Sequence, residues 1–321
     1  MIKTFAGFFF SGIIFFSSGS TISSFDTASG SIVSSDVKIS KATVDGFKQP
    51  LYSDIVMKHI SQDMAKQKVF FSDEKNTIPR IGSKSYLIGD PESGEIFLSH
   101  AEKDKLSIGS LTKLMTAVVA VEHFSLDEEV NISKTAAELE GAKIKFLIGE
   151  KVALSDLLTA TLVRSGNDGA YAIAEHAPLG KDQFIEWMNQ KAVMLGMSSS
   201  HFSNPMGFDE PGNFSTARDL FILVRYILST QPYLRDAVAR ESFEFTSKTG
   251  RYHQVDTTNS LFKSFLKIRG MKTGTTEDAG ASFIGLAENE KGGDMVAIVL
   301  ASPDRFQEAK ILFWWALSHL K

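Results

Sequence analysis

The chain has 321 residues, 43% hydrophobic and 22% charged, which is enough for a large core in one unit or two lobes. Its formal net charge of −4, with Lys and Arg scattered, offers no basic face to a nucleic acid. The absence of cysteine excludes disulfides, thiolate catalysis and cysteine-ligated metal, and the seven histidines show no close ligand spacing, so no metal or cofactor is expected.

At the N-terminus, Lys3 precedes the mostly apolar run Phe5–Phe16 and the small polar stretch Ser17–Thr21. The run is shorter than the roughly 20 residues that span a bilayer and has the layout of an export signal. Residues 1–22 are therefore expected to be a signal peptide or, as no Ala-x-Ala cleavage site is evident, a signal anchor. Either places the rest of the chain outside the cytoplasm, on the periplasmic or cell-wall side. Residues 23–45 read as a Ser/Thr-rich linker and 46–321 as the folded domain. Helical spacing of Leu51, Ile55, Val56, His59 and Ile60 predicts an amphipathic helix at its start.

Two strands, Lys84–Ile88 and Glu95–Ser99, flank the turn-rich Asp90-Pro-Glu-Ser-Gly94. Helices are predicted over Leu111–Phe124, Leu154–Arg164, Ala170–His176, Phe184–Leu195 and Thr216–Ser229. Strands return at Ile268–Thr273, Ser282–Ala287 and Met295–Leu300, with Gly292-Gly293 as the last hairpin turn, and Arg305–Leu320 closes the chain as a helix. Strands near both ends with helices between them imply an α+β fold. Its sheet is assembled from distant segments, a helical lobe is inserted, and the cleft between them is the expected site.

Three short motifs occur in order: Ser110-Leu-Thr-Lys113, Ser165-Gly-Asn167 and Lys272-Thr-Gly274. The first spacing is common, recurring at Ser35, Ser72, Ser260, Ser264 and Ser318, and Lys248-Thr-Gly250 repeats the third. Near a helix start, Lys113 lies one turn from Ser110 on the same face and can act as its base if its pKa falls toward neutrality. Burial and a second cation, for which Lys272 is the candidate, both push that way. A helix cap with a snorkelling lysine would fit an isolated match, but Lys113 sits inside an almost wholly apolar helix.

Ser165-Gly-Asn167, the one Ser-x-Asn in the chain, follows a helix in a loop-like context. There Ser165 could relay a proton and Asn167 could fix Lys113 and a substrate, although a Ser or Asx turn explains the motif equally well. Lys272-Thr-Gly274 reads as a strand edge. Lys272 and Thr273 there would meet a carboxylate, and Gly274 would let a substrate approach. The repeat at Lys248 runs into Arg251-Tyr-His and reads as a turn. The backbone N–H groups of Ser110 and Thr275 are candidates for an oxyanion hole, with ordinary sheet pairing as the alternative for Thr275.

The ordered triple is a signature of penicillin-binding proteins and class A β-lactamases. From about Lys84 to Leu320 the chain resembles the low-molecular-weight penicillin-binding proteins, the serine-type D-alanyl-D-alanine carboxypeptidases. Gly109-Ser-Leu-Thr-Lys-Leu-Met-Thr-Ala117 looks like their nucleophile helix and Phe202-Ser-Asn-Pro-Met-Gly-Phe208 like their mid-chain turn, while Ser215-Thr-Ala-Arg-Asp219 and Thr258-Asn-Ser-Leu261 match in order.

The resemblance implies a β-lactamase/transpeptidase-like domain acting on peptidoglycan stem peptides, with β-lactams as covalent inhibitors. Ser110 would attack between two D-alanines, Lys113 would take its proton and Ser165 would help protonate the leaving D-alanine. Lys272 and Thr273 would hold the terminal carboxylate. Arg305 stands where a supporting Arg is often found, though a surface position on the last helix would also suit it.

Asn213 replaces a frequent His, Gly109 a frequent Ala, and the chain ends after the closing helix, without the further β-domain and membrane helix of many members. Shorter members include D,D-endopeptidases, so that activity is the alternative. A β-lactamase is disfavoured because Glu210-Pro-Gly-Asn213 has the wrong spacing for the class A deacylating pair. A non-catalytic wall-binding or β-lactam-sensing module would have no need of the intact nucleophile and base. Thr112, two residues after Ser110, stands where an α/β-hydrolase nucleophile elbow needs Gly.

Overall fold

The computed structural model describes residues 78–319, apart from Phe265, Lys267, Glu290 and Lys291. The leader, the linker and the helix expected around Leu51–Ile60 lie outside the described residues. The fold opens on strands β1 (Ser85–Gly89) and β2 (Ile96–His100). A 3-10 turn over Gly109–Thr112 then runs directly into helix α1 (Lys113–His123). Next come the small strand β3 (Glu129–Asn131), helix α2 (Lys134–Glu138) and strand β4 (Lys151–Ala153), which pairs with β3.

The helical lobe is completed by α3 (Leu154–Arg164), α4 (Asn167–Glu175), α5 (Lys181–Leu195), α6 (Ala217–Thr230) and α7 (Pro232–Val238). A hairpin of β5 (Ser242–Thr246) and β6 (Tyr252–Asp256) precedes the long strands β7 (Arg269–Thr276), β8 (Gly280–Glu288) and β9 (Asp294–Ser302), and helix α8 (Arg305–His319) follows.

The main sheet is antiparallel, in the order β2-β1-β9-β8-β7, so the first two strands of the fold join the last three at the β1–β9 pairing. Period-two alternation explains how both faces are buried. In β9, Val296, Ile298 and Leu300 join the core shared with the helical lobe, while Met295, Ala297 and Val299 pack with Leu312, Phe313 and Trp315 of α8. Each fully buried large apolar side chain contributes roughly 1.5–3 kcal/mol. The edge strands are β2 and β7, and the unpaired side of β7 faces the turn that leads into α1.

Differences from the expected boundaries have local causes. Helix α1 begins at Lys113 because Gly109, at φ +53, turns the chain and tightens the first residues into a 3-10 turn. Helix α4 begins at Asn167, not Ala170. The Asp168 carboxylate accepts from the backbone N–H groups of Ile144 and Lys145 at 3.0 and 2.8 Å, so a polar run that reads as loop is fixed as the first helical turn. Thr216 caps α6 by accepting from the N–H of Asp219 at 3.0 Å. The pairs β3–β4 and β5–β6 leave little signal in the sequence because they are short and lack a long apolar alternation.

Candidate active site

Three elements converge at the N-terminal end of α1. The first is the Gly109–Thr112 turn, where the 3-10 geometry nearly eclipses residues three apart and brings Lys113 Nζ to 2.9 Å from Ser110 Oγ. Ser110 is partly exposed, whereas Lys113 has no solvent exposure.

The second element is the bend between α3 and α4. Ser165, at φ +63, ends α3 in the left-handed region, and Asn167 opens α4. Asn167 Oδ1 accepts from Lys113 Nζ at 2.8 Å and its Nδ2 donates to the carbonyl of Glu140 at 2.8 Å, which fixes the amide orientation.

The third element is β7, which runs beside the serine turn. A Cβ on Gly274 would lie 2.5 Å from the carbonyl oxygen of Ile108, and one on Gly109 would lie 3.2 Å from the nitrogen of Thr275. Only glycines allow this approach. Lys272 Nζ donates to Ser165 Oγ at 2.6 Å and to the carbonyl of Thr273 at 3.0 Å. Arg305, at the start of α8, donates to the carbonyl of Gly274 at 2.8 Å and to Thr275 Oγ1. Ser110, Lys113, Ser165, Asn167, Lys272, Thr273, Thr275 and Arg305 are thus brought together. The repeat Lys248-Thr-Gly250 is in the β5–β6 turn, where Gly250 has φ +88.

Both amines are pushed down. Burial brings Lys113 to about 7, partly opposed by the nearby Asp168 carboxylate. Burial also lowers Lys272, reinforced by Lys113 and then Arg305. Desolvation is the first cause for both amines, and the repulsion between Lys113 and Lys272 disfavours charging the two at once.

Several supporting groups carried little or no signal in the sequence. The Asn-Pro turn delivers the carbonyl of Met206 to Lys113 Nζ at 2.7 Å. It is held by Asn204 Oδ1, which accepts from the N–H of Gly207 at 2.7 Å, and by Thr116 Oγ1, which donates to the carbonyl of Pro205 at 2.7 Å. A Cβ on Gly207 would come within 2.0 Å of the carbonyl oxygen of Gly109. Thr258 Oγ1 meets Thr273 Oγ1 at 2.5 Å, and Asp209 Oδ1 accepts from Thr276 Oγ1 at 2.6 Å and Ser107 Oγ at 3.0 Å. These depend on long-range pairings that no local spacing displays. Among the described residues no group of three or more His, Asp or Glu could hold a metal, and no helix is long and apolar enough to cross a membrane.

Comparison with known proteins agrees with this arrangement. The family model described as D-alanyl-D-alanine carboxypeptidase matches residues 72–304. The D-alanyl-D-alanine carboxypeptidase DacC of Escherichia coli is 30% identical over 262 residues, covering 77% of this chain and 64% of the relative. The D-alanyl-D-alanine carboxypeptidase DacF of Bacillus subtilis is 28% identical over 223 residues, covering 68% of this chain and 56% of the relative. The chain thus spans less than two thirds of the length of these two curated relatives. Among solved structures, a Streptomyces DD-transpeptidase matches with a TM-score of 0.71 at 27% identity, covering 75% of this chain and 99% of that one. With the family matched across most of its length and the three motifs gathered at one cleft, the chain belongs to the D-alanyl-D-alanine carboxypeptidase family.

Proposed function

We propose that the protein is an exported serine-type D-alanyl-D-alanine carboxypeptidase that removes the terminal D-alanine of peptidoglycan stem peptides through an acyl-enzyme. Residues 46–321 form its catalytic domain. One observation carries the reading: a fully buried Lys113 amine, with a pKa brought to about 7, stands 2.9 Å from the hydroxyl of a partly exposed Ser110. A neutral amine there can take the serine proton, the step a serine needs to become a nucleophile.

The peptide chain extends along the open edge of β7, as an added strand does. Lys272, Thr273 and Arg305 receive the terminal carboxylate, and its charge favours the protonated form that burial disfavours in Lys272. Ser110 Oγ attacks the carbonyl between the two D-alanines, while the N–H groups of Ser110 and Thr275 stabilise the oxyanion. As the C–N bond breaks, the proton taken by Lys113 reaches the leaving nitrogen by way of Ser165. Water then attacks the ester, Lys113 takes its proton and passes it to Ser110 Oγ as the ester bond breaks, and the shortened peptide leaves. A β-lactam mimics the terminal dipeptide and acylates Ser110 by the same route.

The test is digestion of a free pentapeptide and a cross-linked dimer, with products identified by mass and penicillin as a parallel acylating probe. Loss of one D-alanine from the pentapeptide and a long-lived penicillin adduct on Ser110 are expected. Cleavage of the dimer without D-alanine release would make the enzyme a D,D-endopeptidase, and rapid penicillin turnover would make it a β-lactamase.

A further inference from the structure

Asp168, on the first turn of α4, is a carboxylate with no solvent exposure that the serine chemistry leaves unused. Its Oδ1 accepts from the N–H groups of Ile144 at 3.0 Å and Gly169 at 2.9 Å, and its Oδ2 from those of Lys145 at 2.8 Å and Phe146 at 3.5 Å. Three successive N–H groups of one loop thus converge on one anion, the nest that irregular backbone offers to negative charge. Lys145 is held at φ +71 to complete it, a left-handed conformation uncommon outside glycine. The loop presses in closely, since a Cβ on Gly166 would lie 2.8 Å from both Asp168 Oδ1 and Ile144 Cδ1.

The same loop returns to the site. The carbonyl of Ala142 accepts from the N–H of Asn167 at 2.7 Å, and the carbonyl of Glu140 accepts from Asn167 Nδ2 at 2.8 Å. Asn167 Oδ1 in turn holds Lys113 Nζ at 2.8 Å. Asp168 therefore reaches the base by two routes: through residues 140–146 to Asn167, and by its charge across the buried floor of the site.

A buried carboxylate is costly unless an opposite charge offsets it. Lys113 is that charge, and Asp168 favours its protonated form against the effect of burial. On the other side Lys272 of β7 repels it, with Arg305 of α8 beyond. Lys134, Glu138, Glu140, Lys145 and Arg164 are exposed. Helix α5 brings Lys191 to Glu122, at 2.7 Å, about 13 Å along α1 from Lys113. Asp219 and Arg225 of α6 are engaged with Ser200 and the carbonyl of Pro91.

We infer that Asp168 is a positioning residue for acylation: its buried negative charge supports the protonated form of Lys113, and its hold on residues 144–146 keeps the loop that orients Asn167. The inference rests on Lys113 being the base of the proposed acyl-enzyme reaction. Burial alone would leave the amine a weaker base, and proton transfer from a serine hydroxyl follows base strength.

The test is the second-order rate of acylation by a fluorescent penicillin, followed from about pH 5 to about pH 9. In the wild type the rate should rise through about 7 as Lys113 loses its proton. Asp168→Asn keeps the size and removes the charge, so the amine deprotonates more readily. Its rising limb should move to lower pH by about one unit, and its plateau should fall about three- to tenfold. Only folded molecules acylate, so the position of the limb does not depend on how much of the variant folds. Asp168→Ser leaves room for water to meet the N–H groups and should show the same shift where the asparagine amide crowds the nest. Asp168→Glu retains the charge and should retain the limb. A limb at the wild-type pH in the neutral variants, or a shift as large in Asp168→Glu, would overturn the inference and leave Asp168 as a loop anchor alone. A wild type that forms no penicillin adduct would instead overturn the acyl-enzyme reading.

Discussion

Lys113 shows how one residue can be costly and useful at once. Its amine donates to Ser110, Asn167 and Met206, which uses all three donors of its protonated form, yet it has no solvent exposure. In the unfolded chain the amine titrates near 10.5; in the fold it titrates near 7. Between those values the unfolded state binds more protons, so stability rises with pH through that window and is flat below it. Replacing Lys113 with Met removes the titration. Relative to Lys113→Met, the wild type should gain about 2 kcal/mol between about pH 8 and about pH 9.5, read by urea unfolding, at about 1.36 kcal/mol per unit. The same variant should lose about 10²–10⁴-fold in penicillin acylation rate, the usual worth of a general base. A pH-independent stability difference would show that Lys113 titrates normally, and unchanged acylation would show that another base operates.

At the scale of elements, the site depends on how closely a strand and a turn can approach. Gly274 and Gly109 let β7 lie against the serine turn, and Gly207 lets the Asn-Pro turn close over it. Gly274→Ala would press a methyl group to 2.5 Å from the carbonyl of Ile108, so the strand must move outward. A displacement near 1 Å can cost about 10²-fold in rate. Penicillin acylation should fall by that order while the circular dichroism spectrum is retained, and a variant that acylates at the wild-type rate would show that the spacing is not needed. The glycine and the strand are legible in the sequence, because Lys272-Thr-Gly274 sits in a β-prone run, and so is the buried lysine, from the apolar helix around Lys113. The roles of Asp168, Met206 and Asp209 are not legible there. Asp168 works by accepting N–H groups from residues 144 and 145, Met206 through a backbone carbonyl, and Asp209 across to Thr276, none of which leaves a local period. Asn213 stands in the sequence where a His is frequent among similar chains, but the unpartnered Oδ1 it buries emerges only from the packing.

The whole molecule is organised by a sheet whose first two strands and last three strands come from opposite ends of the fold, with the helical lobe strung between them. Such a sheet needs its ends tied, since closing a long loop costs entropy that local contacts do not repay. Glu308 supplies a tie. It is 7% exposed on the first turns of α8, and its carboxylate accepts from the N–H of Gly82 at 2.5 Å, from Ser302 Oγ at 2.5 Å and from Ser83 Oγ. One side chain thus joins the approach to β1, the end of β9 and the closing helix. Glu308→Ala would strand three buried or half-buried donors, and the loss of hydrogen bonds to a charged acceptor predicts about 2–4 kcal/mol of destabilisation. In urea the midpoint should fall by roughly 1 M, given slopes of about 1–3 kcal/mol per M. Glu308→Gln keeps the size of the side chain and one acceptor oxygen, so its midpoint should lie between the two. An alanine variant with the wild-type midpoint would mean that the β1–β9 pairing holds the ends without help from α8.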